Sequence, residues 1–145
     1  MKEDDKRRLF KRNDLKDIEV FFSDYDKNLT KNYKNDIGLL INNASVEQAI
    51  STLIMTPKGS VPFRPDFGCE INNILFENVS YIQADRIRSR VEKAIKENEP
   101  RVIIKTVEVS IDDTKPNTYD VYIHYKTIYD NVESYTLHIP ISSNR

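Results

Sequence analysis

A chain of 145 residues with 39% hydrophobic and 31% charged side chains is long enough for one real core and is not of disordered composition. A formal charge of -1 argues against a nucleic-acid binder held by a general basic field, and no apolar run approaches the ~20 residues of a membrane-spanning helix. Neither nucleic acid nor membrane is an expected partner. The single cysteine, Cys69, rules out an intrachain disulfide and fits a reducing cytosol, and the first residues lack the apolar core of a signal peptide.

Residues 1–17 carry seven basic and five acidic side chains and few apolar ones. Such a segment buries too little surface to order itself. It is expected as a charged extension, ordered by a partner if at all, with the domain proper over residues 18–145. Residues 18–26 suggest an extended segment running into a turn, and residues 37–41 a short strand. Ser45-Val46-Glu47-Gln48 has the form of a capping box, followed by Ala49, Ile50, Leu53 and Ile54 at helical spacing. Thr56-Pro57 ends that helix, because proline excludes the α region for its predecessor.

Residues 57–70 then hold two of the three glycines and three of the six prolines. Fixed and positive φ angles in such density mean a shaped turn, with Phe63 and Phe67 expected as its packed anchors. A short helix is expected over residues 70–77. Ser80-Tyr81-Ile82-Gln83 is a second capping box. The helix after it puts Ala84, Ile87, Val91, Ala94 and Ile95 on one stripe, with Arg86, Arg88 and Arg90 on the solvated side. Pro100 stops it.

Three strands complete the chain. Val107, Val109 and Ile111, then Tyr119, Val121, Ile123 and Tyr125, then Tyr135, Leu137, Ile139 and Ile141 alternate with polar residues. All three apolar sets are odd-numbered. Opposed residues share a face, so paired numbers must sum to an even value. A two-residue turn at Asp130-Asn131 would break this parity; a three- or five-residue connection, or a bulge, preserves it. The whole reads as α+β, with helices packed on one face of a small, mainly antiparallel sheet.

No catalytic residue, cofactor site or metal site emerges. Glu70 and Glu77 would lie about 10.5 Å apart along a helix axis. Retaining glycosidases need carboxyls ~5–5.5 Å apart and inverting ones ~6.5–9.5 Å, so a peptidoglycan-cleaving enzyme is disfavoured. His124 and His138 are two ligands where a stable transition-metal site uses three or four. Cys69 reads as a small packed residue. Glu99-Pro100-Arg101 stands apart, because proline fixes the geometry between opposite charges where a helix meets a strand. Two readings stay open for it: a helix stop with a surface ion pair, or a rigid two-charge plug that presents Arg101 to another chain.

The run Thr56-Pro57-Lys58-Gly59-Ser60-Val61-Pro62-Phe63-Arg64-Pro65-Asp66-Phe67-Gly68-Cys69-Glu70, then Leu75-Phe76-Glu77, then a long helix ending in Glu99-Pro100-Arg101 before three strands, resembles a known family. It is similar to the baseplate wedge proteins of contractile-tailed, T-even-like phages, which share a family with the TssE subunit of type VI secretion. The resemblance covers about residues 20–145 and includes Ser23-Asp24-Tyr25-Asp26 and the ending Ser142-Ser143-Asn144-Arg145; the charged extension departs from it. It implies a structural subunit, not an enzyme, despite the family's old lysozyme label. It implies that Glu99, Pro100 and Arg101 attach to the wedge core-bundle proteins. It also implies that the strands resemble the handshake domain of sheath subunits, so that the edge strand with Tyr135, Leu137 and Ile139 receives the tail sheath protein. Neighbouring baseplate proteins are the further expected partners, the virion's tail baseplate the location, and the host cytoplasm the place of assembly. A TssE-like subunit of a secretion baseplate is the alternative.

Overall fold

The computed structural model describes residues 20–31, 37–111, 115, 117–129 and 134–142. The charged extension expected over residues 1–17 lies outside them. The chain forms two compact units, Met1–Ala49 and Ile50–Arg145, divided within a helix.

In the first unit, β1 (Ser23–Tyr25) pairs antiparallel with β2 (Leu39–Ile41), Asp24 opposite Leu40. Buried Asp26 organises the turn after β1 by accepting from the Asn28 and Thr30 amides and the Thr30 hydroxyl. Helix α1 (Asn42–Met55) follows β2 without a linker. It starts three residues before the expected capping box. Asn42, at φ 48°, turns the chain, and its side-chain carbonyl accepts from the Phe21 and Phe22 amides. Ser45 therefore lies inside the helix, fully buried, its Oγ with no hydrogen-bond partner among the described residues. Gln48 acts away from the helix start. Its side-chain amide accepts from Lys27 N at 2.8 Å and donates to Tyr25 O at 2.8 Å, pinning the turn after β1. Tertiary partners outcompeted the local cap.

In the second unit α1 ends at Met55, as Thr56-Pro57 requires. The following loop closes on itself. Pro57 and Cys69 form a parallel bridge, and Cys69 N donates to Thr56 O at 2.8 Å. Gly68 is obligatory at this neck. Its φ is +116°, and a Cβ there would stand 2.6 Å from Thr56 O. Three successive tight turns fill the loop, closed by Ser60 N to Pro57 O, Arg64 N to Val61 O and Phe67 N to Arg64 O. Phe67 is half-buried under the Arg64 guanidinium, 5.0 Å from its ring centroid. Phe63 is not a packed anchor: it sits at φ 65° and is 102% exposed. The aromatic character was legible; the direction in which a closed loop points it was not.

Helix α2 is shorter than expected, Asn72–Leu75, with Ile74 and Leu75 buried. Helix α3 (Tyr81–Asn98) carries its predicted stripe buried. Ser80 caps it by accepting from Gln83 N at 3.3 Å. The return half of the box is replaced: Gln83 bonds Glu77, and Ser80 N donates to the hydroxyl of buried Tyr119. That contact ties the helix start to the sheet and satisfies a buried phenol.

The sheet has the order β3 (Val102–Ile111), β4 (Thr118–Thr127), β5 (Tyr135–Ser142), all antiparallel, with α3 against β3. Val109 pairs with Val121 and Val121 with Ile139, so the predicted parity holds along β4–β5 and along β3–β4 from Thr106 to Ile111. The last connection lies largely outside the described residues. A bulge at Lys105, between Ile104 and Thr106, shifts the register. It lets even-numbered Val102 and odd-numbered Val107 both be buried on one face, and leaves Ile103 exposed.

Candidate docking site

Glu99 caps the C-terminus of α3, its N–H bonded to Ile95 O at 2.8 Å. Its side chain is 8% exposed, yet its carboxylate is matched on both oxygens: Arg101 Nε donates to Oε1 and Nη2 to Oε2, each at 2.6 Å, and Arg101 N adds a third bond at 3.3 Å. This is fork-on-fork pairing across two residues, made possible by the bend at exposed Pro100. The backbone is held as well. Val102 N donates to Glu99 O, and Ile128 N donates to Arg101 O at 3.1 Å, anchoring the corner to the end of β4. Burying a carboxylate costs several kcal/mol unless it is paired with good geometry, so the corner is rigid.

The two open readings of Glu99-Pro100-Arg101 thus take a specific form. The ion pair is internal, but it is not a loose surface pair. Arg101 keeps 27% of its side-chain surface exposed in a fixed orientation. Sequence reasoning missed what stands nearby. Ile128 and Tyr129, which follow β4, and Ile103 on the adjacent strand are 47%, 54% and 46% exposed. The available signal was an apolar run, Val102-Ile103-Ile104, too continuous for a strand with one buried face.

Among the described residues, β5 is an edge of the three-stranded sheet. Tyr135, Leu137 and Ile139 oppose Tyr125, Ile123 and Val121, and their side chains are half-buried, half-buried and buried. They belong to the core face, and the ring of Tyr135 stacks on Tyr125 at 5.7 Å. The outer backbone edge belongs to the even positions. Pro140, opposite Asp120, has no N–H, so its backbone turns away from β4. Antiparallel alternation then turns Thr136 and His138 outward too. The 4.6 Å stacking of His138 on the opposed Tyr122 fits the closer spacing of such pairs. The two histidines do not face each other. His124 bonds Thr136 at 2.9 Å, and His138 lies 2.6 Å from Asp120.

The two glutamates that a glycosidase would need are tied to cations. Glu70 lies between Lys58 and Arg90, and Glu77 beside Arg86 and Gln83. Glu70 and Glu77 share no helix, since α2 spans only Asn72–Leu75. A cleft of about 500 Å³ is lined by Glu70, Asn73, Ile74, Asp85, Arg86 and Arg90 among others. Buried Cys69 has its thiol pKa pushed up to about 11, chiefly by desolvation, so it is no nucleophile near neutrality.

Residues 42–132 match the family model for baseplate wedge protein gp25. The chain is 32% identical over 116 residues, 80% of its length, to baseplate wedge protein gp25 of Enterobacteria phage T4, and covers 81% of that protein. Solved structures share the fold. A putative tail lysozyme from Geobacter sulfurreducens aligns with a TM-score of 0.63 at 24% identity, over 69% of this chain and 89% of that one. A chain of the anti-feeding prophage baseplate aligns at 0.66 and 21%, over 76% and 88%. A chain of the type VI secretion baseplate complex aligns at 0.59 and 17%, over 70% and 93%.

Proposed function

The chain belongs to the baseplate wedge protein gp25 family, and from that membership we propose that it docks on the helical core of the wedge through the Glu99-Pro100-Arg101 corner and starts the sheath through its strand edge. It is a structural subunit of a contractile-tail baseplate, with other baseplate proteins as neighbours, and not an enzyme.

The observation that carries the docking reading is the bidentate Glu99–Arg101 pair with a buried carboxylate. A guanidinium fixed before binding loses little side-chain entropy on docking. Exposed Ile103, Ile128 and Tyr129 supply the apolar area that a charged corner lacks. Arg101→Lys tests this, because it keeps the charge beside Glu99 and removes the fork. The variant should fold, with a Tm lowered by less than that of Arg101→Ala, and fail to enter baseplates assembled in a host infected by a phage lacking this subunit. Normal incorporation would reject the corner as the docking site.

Strand addition rests on the outer side of β5, which no strand pairs with among the described residues. Thr136→Pro removes an outward N–H and spares the ladder to β4, whereas Leu137→Pro would break that ladder. Baseplates carrying Thr136→Pro should be complete but grow no sheath. Sheath of normal length on them would dismiss β-augmentation at this edge.

A further inference from the structure

Phe63 is the most exposed large hydrophobic side chain among the described residues, at 102%, and it also has one of the less favourable backbones. Val61-Pro62-Phe63-Arg64 is a turn closed by Arg64 N to Val61 O, with proline at its second position and positive φ at its third. That third position is where a type II turn selects glycine or asparagine. A phenylalanine there, aimed wholly into solvent, serves neither the turn nor the core.

The loop that carries it is built to hold it still. Its neck is closed by the Pro57–Cys69 bridge and by Gly68, whose Cα admits no side chain. Pro62 and Pro65 restrict the tip, and Arg64 lies over Phe67 at the inner side. A rigid aromatic projecting from a preorganised loop is the form of a binding hot spot.

We infer that Phe63 is an anchor that inserts into an apolar pocket of a different protein of the baseplate. The tip's own chemistry narrows the occupant. Arg64 and Asp66 offset each other and Lys58 is engaged by Glu70, so the tip offers no basic skirt for an anionic membrane or a nucleic acid. The 500 Å³ cleft of a second copy is no receptor for Phe63. The cleft between α2 and α3 is lined by Glu70, Asn73, Asp85, Arg86, Ser89 and Arg90, with Ile74 as its apolar member. A phenyl ring would strip water from those charges without replacing it. The inference rests on baseplate membership and is independent of the Glu99-Pro100-Arg101 corner.

A photo-crosslinking phenylalanine analogue placed at position 63 of the full chain, in assembled particles, should couple to a single heterologous baseplate protein. In parallel, Phe63→Ala should leave Tm unchanged and lower incorporation, in competition with wild type, at least tenfold. Three results would each overturn the assignment: coupling to a second copy of this chain or to nothing, equal competition by Phe63→Ala, or a marked fall in its Tm, which would make Phe63 a packing residue. A failure of the corner reading is separate, since it shows as normal incorporation of Arg101→Lys and leaves the crosslink in place.

Discussion

The loop of residues 57–69 and the corner Glu99-Pro100-Arg101 are both proline-bearing connections in one unit, and they reverse the usual distribution of side chains. In the loop an aromatic residue is fully exposed; at the corner a carboxylate is buried. Each inversion is supported by local closure. The loop neck is sealed by a glycine with no space for a Cβ, so the tip is held out regardless of its polarity. The corner brings a guanidinium onto both oxygens of Glu99, so its charge tolerates burial. Hydrophobicity sets the average position of a residue type; the geometry of the connection decides the individual case.

The strongest way to break this comparison is at the neck. Gly68→Ala adds a Cβ 2.6 Å from a backbone oxygen at φ +116°, and should cost about 3–4 kcal/mol from backbone strain and overpacking together, read as a lower Tm and denaturant midpoint. A loss below about 1 kcal/mol would mean that the neck is not closed. At the corner, Arg101→Ala leaves the Glu99 carboxylate buried without its fork and should cost about 2–3 kcal/mol, less than for a fully buried pair because Arg101 is partly exposed. A double variant, Glu99→Gln with Arg101→Met, should recover part of that loss. Additive losses would show that the two side chains do not act as a pair.

The neck has its own pH signature. Cys69 is raised from 9.0 to about 11 in the folded chain. Above pH 9 the unfolded thiol releases its proton while the folded one keeps it, so stability should fall by about 1.4 kcal/mol per pH unit between about 9 and 11. Cys69→Ser should flatten that part of the urea-melt profile. Native Cys69 should likewise resist a thiol reagent at pH 8 that labels the unfolded chain at once. Gly59→Ala sharpens the contrast with Gly68. Its φ is +83° with nothing within 4 Å, so only the left-handed backbone penalty of about 1 kcal/mol applies. The smallest expected effect is that of Phe63→Ala on stability, within about 0.5 kcal/mol.

Periodicity carried most of the fold. The α3 stripe and the parity of the three strands were legible because side chains alternate with a fixed period in each element, and a shared face forces the register. The helix stop at Pro57 and the cap at Ser80 were legible because their chemistry is local. Of the candidate docking site, Glu99, Pro100 and Arg101 stood out as charges around a proline, whereas Ile103, Ile128 and Tyr129 did not. Ile103 is turned outward by a bulge that depends on how β3 pairs, and no spacing within one strand encodes a defect in a ladder between two.

Ser45 and Gln48 show the same division. Alone, they satisfy the capping pattern; in the fold, Asn42 starts the helix and Gln48 serves a turn more than twenty residues away. The sequence by itself determined which segments are helix and strand and which faces are apolar, because these follow from steric preferences and periodicity within a few residues. Only the tertiary structure decided that Phe63 projects, that Glu99 is buried against Arg101, and which backbone groups of β5 face outward. Those outcomes depend on partners and closures distant in the chain, whose energies a local pattern does not contain.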